Sequence, residues 1–508
     1  MQIHWRFAKN ALANLGRGGA AAFVALALPP VLVRHMPPAS YAVWVLVLQT
    51  ATYISFLDLG LQTAIGRYVA YANEKKDTRQ RDEIFSTAFA ALCCAALIAL
   101  LCAAAAVLAV PVLFPSISSS MIPQMRLALL IVSFSMALQL PASAWNGVFI
   151  GMQRYEIPAM TIGGARLLSF LGVIVVVLTD GSLVLMASVL ALANLLSYLA
   201  QYLAFRRLAP EVHFRPAMVS RSTAKDLAGY CFGLTVMSLS MLLVSGFDLI
   251  LVGHFQFAAV TPYSVAANMI ALITGLILAV VNVLMPHAAT LHASQKAAEI
   301  GRLVVSATRV CVLLLVITGV PILIYAGPIM HLWIGQRYVA TGAPLLAILV
   351  IANMIRLIGA PYSTILVAAG QQSIITISPI AEGILNFSVS AILGFFMGGI
   401  GVALGTLFGA FIGVGTHLVY SMTRTRSVIN FSRRDFLFSG VVIPLLSVLP
   451  LLAIAAASMY GIFVHYAFTV AAFVLSATGG LLLVFWSHKK GDNSPFRAHL
   501  AGFDGRPS

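Results

Sequence analysis

Apolar residues in this chain neither alternate with polar ones nor form narrow stripes; they run on. Stretches of about 20 residues with few charges, the length that crosses a bilayer core as a helix, recur from end to end. Bounded by charge, proline or glycine, they begin at roughly residues 11, 41, 84, 126, 157, 182, 225, 262, 304, 341, 374, 399, 436 and 463. The pattern predicts an all-α polytopic membrane protein of about 14 transmembrane helices. A membrane β-barrel would need apolar and polar residues in alternation. The shortest breaks fall at tight turns near Gly181, Gly398 and Gly461. The first run has the charged start of a signal peptide in Arg6 and Lys9. Arg17 interrupts it, and it continues through Pro29 and Pro30 to Val33, so it reads as a span.

Composition agrees. Of 508 residues, 60% are hydrophobic and 9% charged, against about 25% charged in soluble domains. The five cysteines all lie in apolar runs without metal-ligand or redox spacing, and read as small buried hydrophobes. The formal charge of +15 would suit nucleic acid, but its placement excludes that reading. Alternate connections hold 22 of the 30 Lys and Arg residues, among them Lys75, Lys76, Arg79, Arg81, Arg206, Arg207, Arg215, Arg424, Arg426, Lys489 and Lys490. The opposite connections hold Arg34 and Arg337. The positive-inside rule then puts the basic face and both termini in the cytoplasm, in contact with anionic lipid headgroups.

The chain also repeats. LPASAWNGVFIGMQRYEIPAMTIGGARLL from Leu140 resembles GAPYSTILVAAGQQSIITISPIAEGILNF from Gly359, pairing Gly151 and Gln153 with Gly370 and Gln372, and Gly164 with Gly383. Val33-Arg34-His35 before Tyr41 and Val252-Gly253-His254 before Tyr263 form a weaker pair. The repeat unit is six helices, an even number, so both copies share one orientation about an axis along the membrane normal. Two facing six-helix lobes around a central cavity are expected, which is a transporter plan. The predicted organisation is a lobe over 1–207, a cytoplasmic linker over 208–224 and a second lobe over 225–425. An appended helix pair over 426–487 and a disordered cytoplasmic tail over 488–508 follow.

Three segments carry a family resemblance. YAVWVLVLQTATYISFLDLGLQTAIGRYVAY from Tyr41 resembles the second span of polysaccharide flippases, with an aspartate before Leu-Gly and an Arg-Tyr end. FDLILVGHFQFAAVTPYSVAAN from Phe247 is similar to their seventh span, and Gly151 to Tyr155 to their turn after span four. The family commonly has a glycine where Thr261-Pro262 stands. The likeness covers roughly residues 8–425 and points to the polysaccharide transport group of the multidrug, oligosaccharidyl-lipid and polysaccharide exporter superfamily. It implies an O-antigen or exopolysaccharide flippase of the bacterial inner membrane that moves a polyprenyl-diphosphate-linked oligosaccharide. A polysaccharide polymerase or glycosyltransferases are the protein partners such work entails.

Charged side chains inside a bilayer are costly, so those within spans are candidates for function. Arg166 and Arg356 lie deepest, and a guanidinium fork suits a diphosphate. Asn353, one turn before Arg356, shares its face. Arg17 and Arg67 are further cationic candidates, while Arg309 sits near enough to the basic edge to snorkel, as does Arg17. Asp58, Asp248 and Glu382 are candidates for a coupling proton or sodium ion, or for pairing with arginine. Glu382 and Asn386 stand at i, i+4. Span eight carries Ser264, Asn268, Gly275 and Asn282 on one face, a stripe that suggests water. Gly401, Gly405, Gly409 and Gly413 form a small-residue packing face, with His417 next in the row.

Two other classes compete. A multidrug-and-toxin-type cation antiporter shares the plan but calls for acidic lobes, whereas Arg67, Arg166 and Arg356 here match Asp58, Asp248 and Glu382 in number. A lipid II flippase also fits fourteen spans, without its N-terminal signature here. An enzyme on lipid-linked sugars would need reactive outer loops. These are short, with Asp180 their only carboxylate, and the sequence holds no nucleophile–base pair, phosphate-cradling loop or metal cluster. No cofactor is expected beyond an ion gradient.

Overall fold

The computed structural model describes residues 23–449 and 478–479. All regular structure among them is helical. Eleven helices are long and apolar enough to cross a membrane, preceded by the shorter apolar helix α1 (Phe23–His35). They are α2 (Pro38–Glu74), α3 (Thr78–Leu113), α4 (Ile122–Gly151), α5 (Glu156–Leu178), α6 (Leu183–Leu208), α7 (Arg221–Phe255), α8 (Phe257–Ala293), α9 (Ala297–Ile324), α10 (Gln336–Ala368), α11 (Gln372–Met397) and α12 (Gly399–Arg424). These are the spans the apolar runs predict as two to twelve. The start of span one, the end of span thirteen and all of span fourteen except residues 478–479 lie outside the described residues, as do Arg17 and the tail.

Several spans are not continuous helices. In α2 a 3-10 segment over Tyr53–Asp58 leads into Leu59 (φ 51°) and Gly60 (φ 80°) before the helix resumes at Leu61. In α7 the helix stops at Ser245 and restarts at Asp248, in α8 it breaks before Met285, and in α10 it breaks at Gly359. In α12 a π-helical turn runs from His417 to Ser421. Backbone groups freed at such breaks need partners inside a membrane, so broken spans are tolerated only where protein or water supplies them.

The turns repeat with a six-span period. Lys76 after α2 and Gln295 after α8 are both left-handed, as are Gln153 after α4 and Gly370 after α10, and Asp180 after α5 and Gly398 after α11. The hydrogen bonds correct the register read from identities. Arg154 N donates to Phe149 O at 2.8 Å, and Gln371 N donates to Leu366 O at 3.0 Å, so Gly370 corresponds to Gln153 and not to Gly151. A helix-ending turn requires the left-handed residue whatever its identity, and aligning the two glycines slipped the pairing.

The chain forms two compact units. One takes the described residues up to Leu272 with Met330–Leu349 and Pro379–Gly409. Here α4 is the central helix, packed by α2, α3 and α6, with α5 against α6. Ile65, Phe85, Leu92, Leu140, Phe149 and Phe205 fill its core. The outward faces remain apolar, as at Leu97, Leu101 and Leu108 of α3, which suits lipid and not water. The residues between α6 and α7 are bound to the start of α3: Glu211 pairs with Arg81 at 3.4 Å and Arg215 with Asp82 at 4.0 Å. Ser86 Oγ and Thr87 Oγ1 accept the Arg215 and Ser220 amides.

The other unit takes Ile273–Ile329, Val350–Ser378 and the described residues from Ala410 onward. Its central helix is α9, packed by Met285–Ala293 of α8, Ala360–Ala368 of α10 and the segment Phe436–Leu446. Tyr362, Ile365, Val304, Val316 and Phe436 form its core.

Candidate functional site

The most connected buried polar cluster surrounds Asp248, the first residue after the α7 break. The side chain is buried and held from three helices. Tyr263 of α8 donates its hydroxyl to Oδ2 at 3.2 Å, and the Thr406 hydroxyl of α12 lies 3.1 Å from the same oxygen. Asn386 of α11 reaches Oδ1 with Nδ2 at 3.4 Å and donates to Val244 O at 2.6 Å. Ser390, one turn further, bonds Asn386 Oδ1 and Val402 O, each at 3.0 Å. Glu382 is buried one turn before Asn386.

The glycine stripe of α12 makes this cluster possible. A Cβ at Gly405 would collide with Ser390, and one at Gly409 would meet Asn386. The small-residue face predicted from the sequence therefore lets α11 close on α12 at the level of these polar residues. His417, next in the row, bonds Ser363 of α10 through Nε2 at 3.2 Å.

A second carboxylate, Asp58, stands at the α2 break. Ser143 of α4 donates to its Oδ1 at 2.7 Å, and the Gln62 amide approaches Oδ2 at 3.4 Å. The break is braced by α7: Thr235 donates to Leu59 O at 3.0 Å, and Gly60 lies against Leu234 so closely that a Cβ there would clash. The Asp-Leu-Gly triplet is thus a point where a span bends around a carboxylate.

The arginines are placed differently from one another. Arg166 is exposed on α5 and Arg356 is half-buried on α10. Arg67 is exposed and stacks its guanidinium over Tyr230, 4.9 Å from the ring centroid. Arg309 does not snorkel: it is buried, and its Nε donates to Ser439 O at 2.9 Å. Asn353 is buried and accepts from Thr274 at 2.8 Å. Asn268 is half-buried and Asn282 exposed on α8. On the arginine-poor face, Arg34 Nη2 donates to Leu332 O at 2.8 Å, at the end of the helix Ala326–Ile334.

Ser143, Ser390 and Thr406 join these clusters without having been singled out. Each is an ordinary residue in an apolar span. Tyr263 lies in the segment from Phe247 that carries the family resemblance. Among the described residues no group of three or more His, Cys, Asp or Glu side chains is arranged to hold a metal ion.

Spans broken beside hydrogen-bonded carboxylates, as at Asp58 and Asp248, are also found in membrane transporters. The chain belongs to the polysaccharide biosynthesis protein family, whose model matches residues 7–292. Its fold is similar to the lipid II flippase MurJ in an inward closed conformation, at 14% identity and a TM-score of 0.70, covering 94% of this chain and 97% of that one. It is also similar to an inward-facing multidrug resistance MATE family transporter at 15% identity and a TM-score of 0.65, covering 82% and 95%. A third likeness is to an exporter-superfamily transporter from Pyrococcus furiosus, at 13% identity and 0.55, covering 83% and 96%. At these identities the likenesses establish the fold. No curated protein matches the chain by sequence.

Proposed function

We propose that this protein flips a polyprenyl-diphosphate-linked oligosaccharide across the bacterial inner membrane by alternating access, for polysaccharide assembly. The observation that carries the reading is the family match on a chain built of membrane spans. Polysaccharide synthesis needs its lipid-linked intermediates moved past lipid tails, and this chain has the build for moving rather than making. A diphosphate cannot cross an apolar core unpaired, so a cationic contact is required; Arg166 and Arg356 are the residues proposed for it, with Arg17, Arg67, Asn353, Asn268 and Asn282 as further contacts. The basic loops face the cytoplasm.

Energy enters through a monovalent cation. Asp248, Asn386, Ser390, Thr406 and the Val402 carbonyl form a set of hard oxygens suited to sodium, and protonation of Asp248 would neutralise the same site. Asp58 and Glu382 are secondary candidates. The likeness to a multidrug transporter favours a second reading, a cation-coupled antiporter. One experiment separates the two. Purified protein in vesicles is given a fluorescent polyprenyl-diphosphate oligosaccharide, and separately an organic-cation dye. Flipping of the lipid-linked sugar alone supports the flippase; movement of the dye alone sinks it.

A further inference from the structure

The break in α7 strands carbonyls that a continuous helix would have used. Two are taken by side chains from other spans. Val244 O accepts from Asn386 of α11. Gly246 O accepts from Gln49 Nε2 of α2 at 2.8 Å and from the hydroxyl of Tyr53, also on α2. A carbonyl has two lone pairs, so α2 saturates this one. The Tyr53 ring also packs on Phe247, with centroids 5.3 Å apart. Gly246 stands two residues before Asp248. Six residues beyond Tyr53, at Leu59, α2 is itself broken, and there α7 supplies the brace through Thr235. Each broken span thus holds the other at its weakest point.

We propose that Gln49 and Tyr53 are positioning residues that pass the charge state of Asp248 from α7 to α2. This rests on the coupling role of Asp248 proposed above and deepens it. Asn386 is the link on the α7 side, because one amide group serves both Asp248 Oδ1 and Val244 O. When a cation neutralises Asp248, the pull of the carboxylate on that amide weakens and the α7 bend resets. The Gly246 carbonyl moves with the bend and carries Gln49 and Tyr53, which precede and begin the 3-10 segment ending at Asp58. The second half of α2, Leu61–Glu74, then shifts.

The test uses the full chain in nanodiscs with spin labels on Tyr71 and Leu203, both exposed, so that their spacing reports the second half of α2 against α6. Neutralisation is imposed in three ways: acid without sodium, sodium at alkaline pH, and Asp248→Asn. Cation binding is followed independently as the rise in thermal midpoint. The expected result is a spacing change in the otherwise native chain that Gln49→Leu/Tyr53→Phe abolishes. The cation affinity should remain within about threefold, below the usual range of a coupling interaction. Tyr53→Phe alone, which keeps the ring on Phe247 and the Gln49 bond, should reduce the change partly, and it replaces the double variant if that fails to accumulate. An undiminished spacing change in these variants overturns the inference. So does cation binding with no spacing change in the native chain, an outcome that leaves the coupling role of Asp248 standing. If neither cation nor Asp248→Asn alters stability or spacing, the coupling role itself falls and the inference with it.

Discussion

The described arginines on or beside the spans are held in different ways, and these set what each can do. Arg309 is spent on a main-chain carbonyl, Arg34 on the end of a helix, and Arg67 on an aromatic ring. Arg166 is exposed and Arg356 half-buried on spans five and ten, and these two are the ones proposed to meet a diphosphate. Arg→Ala at either should abolish glycan export while the protein still accumulates in the membrane. Arg→Lys should restore only part, because the charge returns without the fork. Export assayed in a strain dependent on this protein checks both, and normal export by Arg356→Ala would remove that residue from the path. At the proposed cation site a gentler change is informative. Thr406→Val keeps the shape and deletes one hydroxyl 3.1 Å from Asp248. With sodium bound, the hydroxyl oxygen is proposed as a ligand, and losing a contact of that kind costs about 1 kcal/mol, so sodium affinity should fall roughly fivefold. Unchanged affinity for both sodium and protons would place the binding elsewhere.

At the scale of elements, the apolar runs were legible because a bilayer demands them: eleven described helices lie on the runs predicted as spans two to twelve. The breaks inside them were not. Asp58-Leu59-Gly60 was visible as a triplet, yet nothing local says that the helix bends there. The bend depends on Ser143, Leu234 and Thr235, which come from α4 and α7. The same holds at Asp248, whose partners come from α8, α11 and α12. Of the i, i+4 pair of Glu382 and Asn386 that the sequence offered, Asn386 reaches Asp248, but Thr406 was hidden in a stripe read for its glycines. Those glycines offer a direct test of how the cluster is assembled. Gly405→Leu should force α12 away from Ser390 and cost about 1–3 kcal/mol as overpacking, seen as a lower thermal midpoint and weakened cation binding. Gly275→Ala is the control: a Cβ there meets nothing within 4 Å, so it should be neutral or slightly stabilising. Equal damage from both would mean that the α11–α12 approach is not what the stripe provides.

For the whole molecule, the strongest constraint is electrostatic. Twenty-two of the 30 basic residues sit in alternate connections and two in the others. The structure adds that one of those two, Arg34, is engaged with the Leu332 carbonyl at a helix end, where a cation is favoured by the helix dipole. The asymmetry therefore rests even less on the arginine-poor face than the count suggests. The residues between α6 and α7 bind the start of α3 through paired charges, so basic residues there serve a contact of the fold as well as the orientation expected from the positive-inside rule. An odd number of spans would put the tail, with Lys489, Lys490, Arg497 and Arg506, on the opposite side from Arg206 and Arg207, against the positive-inside bias. We therefore expect fourteen spans and cytoplasmic termini. A reporter enzyme active only outside the cytoplasm should be inactive when fused after Pro495 and active when fused after Asp180. Fusion after Arg207 should again be inactive. Activity after Pro495 with the other two as expected would mean an odd number of spans beyond α12. Reversal of all three would mean that the chain inserts the other way round, and the direction proposed for glycan movement would reverse with it.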